Sequence, residues 1–136
     1  MGPSTYNLVK LSIFSVRDVE YSYGVIEFES HEEILGKVLG KDSDRLKREL
    51  EEEMNTVFTS FSLATGTLNY KGEVLDLAYM RLEREDGSSF EIEIYEKSAR
   101  SFSNTSPEDH YEFAARLIKA LNPDVSIRGP RMIGLA

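Results

Sequence analysis

Two helix-start signals divide this chain and set the order of the elements it can fold into. Ser30-His31-Glu32-Glu33 is a capping box, with serine at the N-cap and glutamate three residues on. Ser106-Pro107-Glu108-Asp109 is the second, with proline at the first helical position and an acid at the third. In each, the serine hydroxyl can accept from an orphan N–H of the first turn, and the acids offset the positive end of the helix dipole. Strand-like runs precede and separate the two signals. The chain therefore reads ββαβββα.

The strands are legible by alternation. Val9, Leu11 and Ile13 alternate with Lys10, Ser12 and Phe14, and Ile26 and Phe28 alternate with Glu27 and Glu29. Turn chemistry at Tyr21-Ser22-Tyr23-Gly24 joins 6–16 and 20–29 into a predicted hairpin. Residues 31–58 read as helical. Ile34, Leu35, Val38 and Leu39 form one apolar stripe, and Leu46, Leu50, Met54, Val57 and Phe58 form another in phase with it. Gly40-Lys41-Asp42-Ser43 interrupts them, as a kink in one helix or a break between two.

A meander is predicted next. Phe61 and Leu63 lead in, Asn69-Tyr70-Lys71-Gly72 makes a hairpin turn, 73–84 is the longest strand, and Asp86-Gly87 reads as a two-residue turn. Phe90, Ile92 and Ile94 then point one way while Glu91, Glu93 and Glu96 stay off that row, as a solvated face would. Ser101 to Ser106 reads as a polar linker with Phe102 tucked into the core. The last helix, 106–122, presents Tyr111, Ala114, Ala115, Ile118 and Leu121, and stops at Asn122-Pro123.

These elements predict an α+β fold, a two-layer sandwich of a five-stranded, mostly antiparallel sheet with the helices on one face. Residues 1–5 stand outside the domain, 6–122 form it, and 123–136 are a tail that either adds an edge strand or docks elsewhere. The order ββαβββα is similar to that of longin and other profilin-like domains, a likeness of element order that carries no site with it.

The long strand is anomalous. Leu75, Leu77 and Tyr79 lie on one face, yet Ala78, Met80 and Leu82 lie on the other. Either a bulge near Ala78 shifts the phase, or the strand is covered on both sides, by a helix, the tail or a partner. The tail is equally apolar for a segment rich in Gly and Pro. Ala78, Met80, Leu82, Arg128, Arg131, Met132 and Ile133 are therefore the candidate binding residues.

Motifs of known chemistry are missing. Cysteine is absent, which excludes disulfides, thiolate catalysis and Cys-ligated metals. With glutamine also absent and charged residues at 29%, the composition is one seen in thermophiles. There is no P-loop, G-x-G-x-x-G or G-x-S-x-G. His31 and His110 follow helix-start serines, lack metal-ligand spacing, and read as exposed first-turn residues; with carboxylates they could still assemble a site in three dimensions. Glu91 and Glu93, with Asp76 on a neighbouring strand, could likewise hold a cation or serve as acid and base. No cofactor is implied.

The net charge of −8 opposes non-specific nucleic-acid binding. Basic residues outnumber acids only after residue 97. No apolar run reaches the ~18 residues of a membrane span, and no signal-peptide pattern opens the chain, so a cytoplasmic protein with no membrane association is expected. The leading functional reading is a non-enzymatic protein-interaction subunit or adaptor, self-associating or part of a complex. The alternatives are an accessory subunit touching nucleic acid through the C-terminal arginines, and a small-ligand-binding or hydrolytic domain with a helix–sheet cleft near His31 and His110.

Overall fold

The computed structural model of the chain describes residues 22–29 and 34–134. The predicted strand 6–16, its hairpin with 20–29, His31 and the first capping box lie outside the described residues. The elements in chain order are β1 (Ser22–Glu29), α1 (Ile34–Leu39), α2 (Ser43–Met54), β2 (Phe58–Tyr70), β3 (Glu73–Arg84), β4 (Ser89–Ile94), β5 (Ser98–Ser103), α3 (Pro107–Leu121) and β6 (Ser126–Gly134).

The stretch read as helical through residue 58 is two helices and a strand start. Asp42 caps α2, its carboxylate accepting from the Arg45 N–H at 2.9 Å. Asn55, in the left-handed conformation at φ 50°, closes the helix, and its N–H reaches the Glu51 and Glu52 carbonyls. Phe58 then enters β2 while keeping its ring in the core. The cap of α3 forms as its sequence predicts: Ser106 accepts from the Asp109 N–H at 3.2 Å, with Pro107 in the first turn.

The six strands form one antiparallel sheet in the order β2-β3-β4-β5-β1-β6. The α1–α2 segment carries the chain from β1 to the far edge, the meander walks back to β1, and α3 carries it to the opposite edge. The architecture is the predicted α+β sandwich, with six strands among the described residues against the five expected; four of the six match predicted strands and two do not. One extra strand is β5, which occupies the supposed polar linker. Its core-facing positions are Ala99, Ser101 and Ser103, so the usual apolar alternation is missing from it. The other is β6, the tail, paired antiparallel to β1 from Glu29↔Ser126 to Ser22↔Gly134. The described order is thus βααββββαβ, which departs from the ββαβββα pattern.

Turn chemistry sets the meander. Lys71 (φ 51°) and Gly72 (φ 82°) are the central pair of a tight turn between Tyr70 and Glu73. The Asp86-Gly87 turn is one residue longer than predicted. The Gly87 N–H reaches the Arg84 carbonyl, the Arg84 N–H reaches the Ser88 carbonyl, and Gly87 takes the left-handed position at φ 88°.

The core lies between one sheet face and the three helices. Ile26, Phe28, Ala78, Met80, Leu82, Phe90, Ile92 and Ile94 meet Leu46, Leu50, Met54, Phe113, Leu117 and Ile118 there. The Phe90 and Phe113 rings stack at 3.8 Å across the layers. On the opposite face Leu77 and Tyr95 form a smaller cluster with Leu68 and Tyr79. β3 is thus covered on both sides along its inner half. It runs in unbroken register with β2 from Ser60↔Glu83 to Tyr70↔Glu73, so no bulge near Ala78 is involved.

Candidate functional site

The structure redistributes the residues singled out by the sequence. Ala78, Met80 and Leu82 are fully buried beneath the helices of this same chain, so they are core and are not available for docking. Arg128 forms an ion pair with Glu29 on the neighbouring strand at 3.1 Å. Arg131, Met132 and Ile133 are paired by backbone to Val25, Gly24 and Tyr23 as part of β6. Asp76 does not join Glu91 and Glu93. It sits opposite Thr67 with the parity of Ala78, whereas Glu91 and Glu93 oppose Arg81 and Tyr79 on the other face.

His110 is buried rather than exposed. The first turn of α3 lies on the sheet, so the ring enters the helix–sheet interface. Ser22 Oγ lies 2.7 Å from its Nδ1 and Ser101 Oγ 2.6 Å from its Nε2. Burial pulls its pKa down to about 4, so the ring is neutral near pH 7. A neutral imidazole donates through one nitrogen and accepts through the other, which satisfies both serines. The arrangement resembles a nucleophile–base pair in distance alone. Ser22, His110 and Ser101 are at most 1% exposed, and the ring pairs both buried hydroxyls within the core.

Glu91 and Glu93 are also buried, at 8% and 4% exposure, against the expectation of a solvated face. Tyr79 donates its hydroxyl to Glu91 Oε1. Burial pushes the Glu91 carboxyl above its ordinary value, with the Tyr79 hydrogen bond and Arg81 pulling the other way. The Tyr79 phenol is held well above its ordinary value, by burial first and then by Glu91. Arg100 lies opposite Glu93 in the ladder, with its guanidinium 5.7 Å from the centre of the Tyr23 ring. Tyr23 packs on Phe102 at 4.8 Å. The phenols stay protonated and the carboxylates are enclosed, which makes this a packed polar layer. Among the described residues no group of three or more His, Asp or Glu side chains is placed to hold a metal ion.

Clefts formed by the described residues open beside the helices. One, of about 270 Å³, lies between the β3–β4 turn and α3, with Arg84, Asp86, Asp109, Glu112 and Arg116 around Phe90 and Phe113. Another, of about 320 Å³, is walled by Lys37, Lys41, Glu49, Leu50, Glu52 and Leu121. His110 lines neither.

What the sequence reading missed is the sheet's free edge. β2 pairs with β3 over its whole length, while β3 meets β4 only from Ala78↔Ile94 to Glu83↔Ser89. Gly66–Tyr70 and Glu73–Leu77 therefore project past the sheet as a two-stranded ribbon. Among the described residues no strand pairs with the outer side of β2. This 13-residue strand contains no charged residue and no proline, in a chain that is 29% charged. Long edge strands are ordinarily guarded by lysine, proline or a bulge, and the one bulge in β2 lies at its start, between Phe58 and Ser60. The opposite edge, β6, carries Arg128, Pro130 and Arg131. Of the four exposed large apolar side chains among the described residues, three lie at the ends of β2 or beside them: Val57 (53%), Tyr70 (53%) and Val74 (68%). The missed signal was the charge-free, proline-free run itself.

No protein-family model matches this sequence, and no curated protein matches it in a direct comparison.

Proposed function

We propose that this chain is a non-enzymatic protein-interaction subunit that docks by adding a strand to β2. One observation carries the reading: the longest strand of the sheet is also an edge that no other strand pairs among the described residues, and it lacks every residue type that keeps edges apart. Strand addition draws its affinity from main-chain hydrogen bonds, so it needs no side-chain motif. The enclosed polar clusters are consistent with this, because His110, Glu91 and Glu93 are turned into the fold.

A photoreactive residue at Thr65 of the full chain, irradiated in the cells that make it, should form covalent protein adducts. The same residue at exposed Glu85, in the β3–β4 turn, should form none. Equal yields at the two positions, or no adduct at Thr65, would overturn the docking reading.

A further inference from the structure

We infer that the strand docked on β2 is β2 of a second copy of this chain, paired antiparallel across a two-fold axis at Ala64; the inference rests on the docking reading above. Counting in twos from the closing pair Tyr70↔Glu73 of the hairpin, the N–H and C=O groups of Asn69, Thr67, Thr65, Leu63 and Phe61 point away from β3. In a two-fold pairing of β2 with itself, these odd-numbered residues meet odd-numbered residues. Their outward groups then bond, and both helical layers stay on one side of a continuous twelve-stranded sheet. An axis at Ala64, the midpoint of Phe58–Tyr70, pairs Ser60 through Leu68 in regular register, short of the bulge between Phe58 and Ser60, a ladder of roughly 31 Å.

Three observations choose a second copy over a foreign strand. The first is electrostatic. Two bodies of net charge −8 repel, and β2 is a surface on which no carboxylate meets another, whichever register is taken. The second is side-chain fit. Leu63 opposes Thr65 and Phe61 opposes Thr67 on the helical side. On the other side Ser62 opposes Gly66 and Ala64 opposes itself, all small enough for close approach. The third is the placement of exposed apolar groups at both ends of one strand. Antiparallel self-pairing brings Tyr70 of one copy to the end of the other's β2 that carries Val57, and brings the Val74 ribbon tip over the same region. A foreign strand would have to supply apolar groups at both ends independently.

The absence of cysteine makes the test direct. Ala64→Cys places a lone thiol opposite its own copy in a non-hydrogen-bonded pair, at a Cα separation of about 4.5 Å, inside the disulfide range of about 4.4–6.8 Å. Mild oxidation of the full chain should give a covalent dimer. Ser60→Cys, whose two copies would stand about 27 Å apart along the ladder, should stay monomeric. Sedimentation of the unmodified chain should show a dimer. Thr65→Pro should weaken it at least tenfold with an unchanged far-UV spectrum, because the lost N–H is not bonded to β3. A chain that stays monomeric at every concentration overturns self-pairing, as does a dimer indifferent to Thr65→Pro or cross-linked equally through Ser60→Cys. If Thr65 photo-adducts then carry the mass of another protein, the docking reading stands and only the second copy is lost. If there are no adducts, both fall.

Discussion

His110 shows how one side chain can tie acid sensitivity to a helix–sheet contact. Its folded pKa, about 4, lies below the 6.5 of an exposed histidine. As pH falls below 6.5 the unfolded chain takes up the proton first, and stability drops until about pH 4, where both states are protonated. The full effect is about 3 kcal/mol, at 1.36 kcal/mol per unit. Urea denaturation at pH 7 and pH 5 should show lower stability at the acid end. His110→Phe should be less stable at pH 7, since Ser22 and Ser101 lose their partner, and should lose most of that slope. Glu91 acts in the opposite sense: its folded pKa is raised, so protonation at low pH relieves the burial of its charge. Tyr79→Phe removes the donor that holds Glu91 ionised. It should raise the Glu91 pKa further, read by NMR titration, and cost about 1–3 kcal/mol at pH 7.

At the scale of the element, caps and turns act locally and edges do not. Ser106→Ala should cost about 1 kcal/mol of stability in denaturant melts, because one orphan N–H at the start of α3 loses its acceptor. Gly72→Ala forces a Cβ into φ 82°, although open space surrounds the position. The cost there is conformational, of order 1 kcal/mol. β2 behaves otherwise. Ala64→Lys, at an exposed position on a free edge, should leave monomer stability within about 0.5 kcal/mol. It should still abolish association by setting like charges opposite each other across the axis, and mixing it with Ala64→Glu should restore a heterodimer by sedimentation.

At the scale of the whole molecule, the C-terminal strand belongs to the fold. β6 pairs along β1 and contacts α3, and Val125, just before it, is in the core. Deleting 124–136 would strip β1 of a partner and uncover apolar surface, so a markedly lower urea midpoint is expected. The molecule's charge makes a separate prediction. If two net-negative bodies meet along a neutral strand, added salt screens their repulsion and breaks no ion pair in the seam. Self-association should therefore tighten from low to high salt, the reverse of a charge-driven interface.

Local pattern was enough for whatever depends on neighbours in the chain. The α3 cap at Ser106, the Lys71-Gly72 turn, the apolar rows of α2 and β4, and the two-faced character of β3 all follow from spacing and from the φ preferences of glycine. The α+β class followed from them. Tertiary structure alone decided whatever depends on which surfaces meet. β5 was hidden because two of its three inward positions are serines, and each is buried with a partner outside the strand, Ser101 with His110 and Ser103 with Thr105. Glu91 and Glu93 alternate as solvated residues do, and nothing within their strand shows that this face is enclosed. The free edge of β2 is a property of strand order. That order is set by where two helices carry the chain before the meander begins, a long-range outcome that local propensity does not encode.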